Sequence, residues 1–152
     1  MRFRKPAARL ATTGLGIAAA MHVVWVFSPW PFADRAVFAN ATSGDSVDDA
    51  PGPVATAAAA ATFAAAAYTV SAQAGLAPRA LPARLGRAAV ATVAGGLLLR
   101  GALGLVYSGF VGKRSLFTRW DLAVYSPFSL VVGALAAWVA VGDKESRADV
   151  IG

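Results

Sequence analysis

Residues 122–142 read LAVYSPFSLVVGALAAWVAVG, twenty-one consecutive positions without an Asp, Glu, Lys or Arg. Because about 20 apolar residues carry a helix across the hydrocarbon core of a bilayer, this stretch decides the fold class. Working outward, the pattern repeats. Leu10–Ala33 and Ala50–Pro78 are also free of charge, and the stretch between Arg87 and Lys113 is broken only by Arg100. The prediction is an all-α, membrane-spanning four-helix bundle. It forms a single integral membrane domain over 1–152, with spans at about 10–27, 54–74, 87–107 and 122–142 and an outer loop over 29–53.

Composition closes other routes. Hydrophobic residues make up 57% and charged residues 14%, too few charges to cover a water-soluble surface. There is no cysteine and one histidine, which excludes thiolate chemistry and His-rich metal sites, so no metal and no cofactor is expected. The net charge of +6 comes from basic residues at the borders of the apolar runs, not from a stripe along one face. The lipid bilayer, and no nucleic acid, is therefore the expected partner.

The first span follows a basic start, Arg2, Arg4, Lys5 and Arg9. Val37 and Ala39 could precede a signal-peptide cut, but a signal core of about 7 to 15 residues is shorter than this run, which carries His22, Trp25 and Trp30 in its distal half. The second span is dominated by alanine and should pack partly against protein. The third holds Gly95, Gly96, Gly101 and Gly104, which permit close helix approach. The fourth places Ser126, Ser129, Gly133, Ala136 and Ala140 on one face, which should meet another helix. Its start is open: Ser126-Pro127 suits an N-cap followed by Pro, whereas a start near Asp121 makes Pro127 a kink.

With the N-terminus inside, the inner segments hold nine Lys and Arg residues and the outer loops four, Arg35, Lys113, Arg114 and Arg119. The excess marks the cytoplasmic side, so a multi-pass protein of the cytoplasmic (inner) membrane with both termini cytoplasmic is expected. Lys113, Arg114 and Arg119 oppose the rule locally. The Gly, Pro, Ser and Asp content of 29–53 predicts an exposed, mobile loop. Its Asp45, Asp48 and Asp49 lack the alternating ligands of a calcium loop.

Arg100 is the most informative residue. A cation in mid-span costs about 2.5–3.5 kcal/mol on insertion scales, so it should face the helix interior or a wet cavity and have partners. Thr92, Gly96, Gly104 and Ser108 recur with it at steps of four. His22 lies 13 residues beyond Arg9, as Arg100 lies 13 beyond Arg87, which places both about 20 Å from the inner anchors. Asp121 is the expected counter-ion, and Tyr107 shares the face of Arg100. Together His22, Trp25, Arg100, Tyr107, Asp121 and Tyr125 outline a polar cluster or binding pocket; none is assigned a catalytic role. The bland reading stands beside it: a snorkelling arginine, an N-cap aspartate and an interfacial aromatic belt.

The strings Leu97-Leu98-Leu99-Arg100, Gly109-Phe110-Val111-Gly112-Lys113 and Asp121-Leu122-Ala123-Val124-Tyr125-Ser126-Pro127, with His22-Val23-Val24-Trp25, resemble the bacterial integral membrane family called domain of unknown function 3995. The resemblance covers spans one, three and four. It implies a four-span bacterial membrane protein and supplies no catalytic residues. Leu105 departs from the family pattern, where an acidic residue often follows the glycine, and this leaves Asp121 as counter-ion.

Three functions compete. The leading one is a noncatalytic helical bundle whose polar cluster fixes packing or docks a partner. The second is a small anion or polar-solute transporter or channel, which with four spans requires a homo-oligomer, a dimer. The third is an intramembrane lipid-modifying enzyme with His22 as acid or base. No nucleotide loop, metalloprotease motif or nucleophile elbow is present.

Overall fold

A computed structural model describes the backbone of residues 3–44, 46–48 and 50–148, and side chains as far as Gly142. Arg2, Asp45, Asp49 and the side chains of Lys144 and Arg147 lie outside the described residues. The described chain is all-helical. Its elements are α1 (Arg4–Phe27), α2 (Arg35–Thr42), α3 (Pro53–Gln73), α4 (Ala83–Val106), α5 (Leu116–Trp120) and α6 (Ser126–Ala148), with π-helical turns at Tyr107–Val111 and Asp121–Tyr125.

Four helical stretches are long and apolar enough to cross a membrane: Arg4–Phe27, Pro53–Gln73, Ala83–Val111 and Leu116–Gly142. At 1.5 Å per residue a 24-residue helix such as α1 spans about 36 Å, more than the roughly 30 Å hydrocarbon core. The four long helices close a ring in which α1 packs along α3 and α6, and α4 packs along α6 and α3. The α1–α3 and α4–α6 seams are the more extensive.

The interior is built mainly of small side chains. Ala8, Ala11 and Leu15 of α1 meet Ala67 and Val70 of α3, Val90 and Ala94 of α4, and Ala136 and Val139 of α6. Alanine lets the backbones approach, as small residues do at membrane helix seams. One face of α3 is buried in this way, through Thr56, Ala60, Ala66, Ala67 and Val70, while Ala57, Ala58, Ala61, Ala64 and Ala65 face outward. On α6 the small-residue face of Ser126, Ser129, Gly133, Ala136 and Ala140 is buried. A Cβ on Gly133 would meet Leu98 Cγ at 3.0 Å, and one on Gly101 would come within 2.7 Å of Leu130 Cγ and 2.9 Å of the Ser126 carbonyl. Gly101 is thus a point where the approach of α4 to α6 requires a glycine.

One expectation changes, and the open start of the fourth span takes the earlier form. Segment 29–53 is not a structureless loop: it contains α2, whose N-cap Asp34 accepts a hydrogen bond from the Val37 amide at 2.8 Å and whose Ala39 and Ala41 are buried. The packing of α2 against α5 supplies the burial that a helix of eight residues needs. The fourth span begins earlier than Ser126. Ser115 caps α5 in a reciprocal capping box with Thr118, and the helix runs on through the π turn into α6. Pro127 lies inside that continuous helix. It has no amide to bond the residue 123 carbonyl, and its ring crowds that carbonyl, so the wider turn just before it accommodates the proline.

Candidate functional site

The two π turns face each other across the α4–α6 seam and carry Ser108 and Asp121, while Arg100 comes from α4 and Ser126 from α6. Each is closed by a bond five residues back, Gly112 amide to Tyr107 carbonyl at 2.6 Å and Ser126 amide to Asp121 carbonyl. Insertions of this kind re-aim side chains and are frequent at functional sites. Here they bring Ser108 and Asp121 to the same point.

Asp121 is fully buried, at 0% exposure. Its Oδ1 accepts from Arg100 Nη2 at 2.7 Å, and its Oδ2 accepts from Ser108 Oγ at 2.7 Å and Ser126 Oγ at 3.0 Å. Arg100 Nη1 donates a longer bond of 3.4 Å to Ser126 Oγ. A buried carboxylate is tolerable when its lone pairs are engaged and a cation is adjacent, and both conditions hold. Gly104 makes room: a Cβ there would collide with Ser126 Oγ and Arg100 Nη1 and lie 2.9 Å from Asp121 Oδ2.

The pair expected between Arg100 and Asp121 is formed, but Arg100 is not enclosed. Its side chain is 44% exposed on the flank of α4. The guanidinium bends toward the C-terminal end of α4 to reach Gly104 and Asp121, the direction a snorkelling arginine takes. Of the ridge read from the sequence, Gly104 and Ser108 join the cluster. Thr92 bonds its own helix at the Ala88 carbonyl, and Gly96 faces open space.

The other predicted residues divide. His22 donates through Nδ1 to the Ala18 carbonyl at 2.8 Å and packs its ring against Trp25 and Phe63, with centroids 4.9 and 5.0 Å away. No hydrogen bond or ring contact joins it to Arg100. Trp25 donates to the Trp30 carbonyl at 2.9 Å and touches Phe32 and Phe38. Tyr125 stacks on Trp120 at 6.2 Å, and its hydroxyl is buried without a hydrogen-bond partner among the described residues. Tyr107 points outward and is half-exposed, with its ring against the Gly112 backbone.

An aromatic chain therefore runs from His22 through Trp25, Phe32 and Trp120 to Tyr125 and caps the end of the ring that carries the ion pair. The sequence places Phe32 and Phe38 in a mobile loop, sets Gly104 and Ser108 beside Arg100 on one ridge, and leaves Ser126 out of the polar cluster. The signal for that ridge is the step of four from Arg100 to Gly104 and Ser108. Chemically, the cluster joins two helices through a carboxylate with both oxygens engaged. Among the described residues no three His, Asp or Glu side chains converge as a metal ion would require.

The family profile described as protein of unknown function (DUF3995) matches residues 15–136. The chain belongs to this family. The DUF3995 match takes in all four long apolar helices, at least in part, and every member of the ion-pair cluster. No curated protein and no solved structure matches the chain.

Proposed function

We propose that this chain is a single-domain, noncatalytic protein of the bacterial cytoplasmic membrane, with both termini in the cytoplasm, whose polar cluster locks α4 to α6. The observation that carries this reading is the fully buried Asp121 carboxylate accepting from three side chains on both sides of the seam. A carboxylate with every oxygen engaged is poorly placed to act on a substrate. It is well placed to fix the register of two helices that otherwise meet through small apolar side chains. His22 is held by its own helix and by rings, and among the described residues it has no acidic or hydroxyl partner that would make it an acid–base group.

The test is the yield and unfolding of purified variants. Arg100→Ala and Asp121→Ala lower the folded fraction in mild detergent, whereas His22→Ala leaves it near wild type. Normal folding of both cluster variants, with selective loss of anion flux in proteoliposomes or of lipid turnover, overturns the proposal. The half-open guanidinium is the observation that favours the anion-transport reading, in which the flux would vanish with Arg100→Ala and the fold would survive.

A further inference from the structure

The ion pair leaves much of Arg100 unengaged. Among the described residues, one Nη2 bond to Asp121 and one long Nη1 bond to Ser126 are its side-chain hydrogen bonds, out of five N–H groups. Asp121 already accepts three hydrogen bonds, with both of its oxygens engaged. On the same helical stretch Leu99, Leu103, Val106 and Phe110 are exposed, a surface suited to lipid, and the Arg100 side chain is itself 44% exposed. A cation left there without acceptors would be costly, and its bend toward the end of α4 brings it toward the level of headgroups. Tyr107, seven residues on, is half-exposed and its hydroxyl makes no hydrogen bond among the described residues. Beyond it, Lys113, Arg114 and Arg119 are exposed, and no ion pair neutralises them among the described residues. These are the cations that oppose the orientation rule, so insertion does not account for them.

We propose that the open edge of Arg100, together with Tyr107, Lys113, Arg114 and Arg119, holds the phosphate of an anionic lipid headgroup. The guanidinium and the phenol supply donors to phosphate oxygens, the loop cations supply the field, and the acyl chains lie on the apolar flank of α4. This inference rests on the reading of Arg100–Asp121 as a packing lock, which orients the guanidinium.

The experiment is native mass spectrometry of the full chain released from micelles containing equal amounts of phosphatidylglycerol and phosphatidylcholine. Wild type retains phosphatidylglycerol preferentially. The variant K113Q/R114Q/R119Q lowers that preference by about tenfold with an unchanged unfolding midpoint, and Tyr107→Phe lowers it by about twofold. The variant R79Q/R84Q/R87Q, at the opposite end of the ring, leaves it intact. Equal retention of the two lipids, a preference that survives the loop substitutions, or one lost with the opposite-end substitutions overturns the proposal. Displacement of the lipid by millimolar inorganic phosphate identifies a free-anion site and overturns it too. Failure of the packing lock would appear separately, as Arg100→Ala unfolding like wild type.

Discussion

Asp121→Ala would leave Arg100 with one long bond to Ser126 and no counter-charge. Breaking a buried pair from one side costs about 3–5 kcal/mol, and the half-open arginine places this variant at the lower end of that range. Replacing both partners, as R100L/D121L, should be less damaging than either single change, because no stranded charge remains. A double-mutant cycle of denaturant unfolding in mixed micelles measures this, and simple additivity would show that the two side chains are uncoupled. Glycines give a sharper contrast. Gly104→Ala should destabilise by about 1–3 kcal/mol through collision with Ser126, Arg100 and Asp121. Gly96→Ala, with open space around it, should be neutral or stabilising by up to about 1 kcal/mol. The importance of Arg100 and its pairing with Asp121 were legible in the sequence, because a lone charge in an apolar span must find a partner. Ser108 was legible through the steps of four that link it to Arg100, whereas the bond of Ser126 was not, since serine is common on small-residue helix faces.

Short elements were the least legible, for a reason that α2 makes plain. Eight residues cannot hold a helix in isolation, and its stability comes from burial of Ala39 and Ala41, from packing against α5 and from the Asp34 cap. Gly, Pro and Asp nearby therefore dominated the local signal. Asp34→Ala should weaken α2 by about 0.5–2 kcal/mol, seen as faster hydrogen exchange of the Val37 amide with the four long helices unaffected. Unchanged exchange would mean that tertiary packing alone holds the segment. The π turns left a single trace, Pro127, whose missing amide and bulky ring fit the widened turn before it. The turn at Tyr107–Val111 contains no proline and left no such trace.

At the scale of the whole molecule, the absence of cysteine allows background-free mapping of the proposed insertion. Val47→Cys, between α2 and α3, should react with an impermeant maleimide on intact cells, and Leu81→Cys, between α3 and α4, only after permeabilisation. The reverse pattern would invert the proposed orientation. The sequence by itself determined the four long helices and their approximate ends, because the bilayer acts as a solvent that demands about 20 apolar residues per crossing. It also set the depth of polar residues along each helix, since the rise per residue is constant. Azimuth was decided only by tertiary structure. His22 and Arg100 share a residue count from their anchors, yet His22 turns to Phe63 on α3 while Arg100 turns to the α4–α6 seam. Which way a side chain faces depends on how small residues such as Gly101 and Gly133 let neighbouring helices settle, a property of the packed ring and of no single segment.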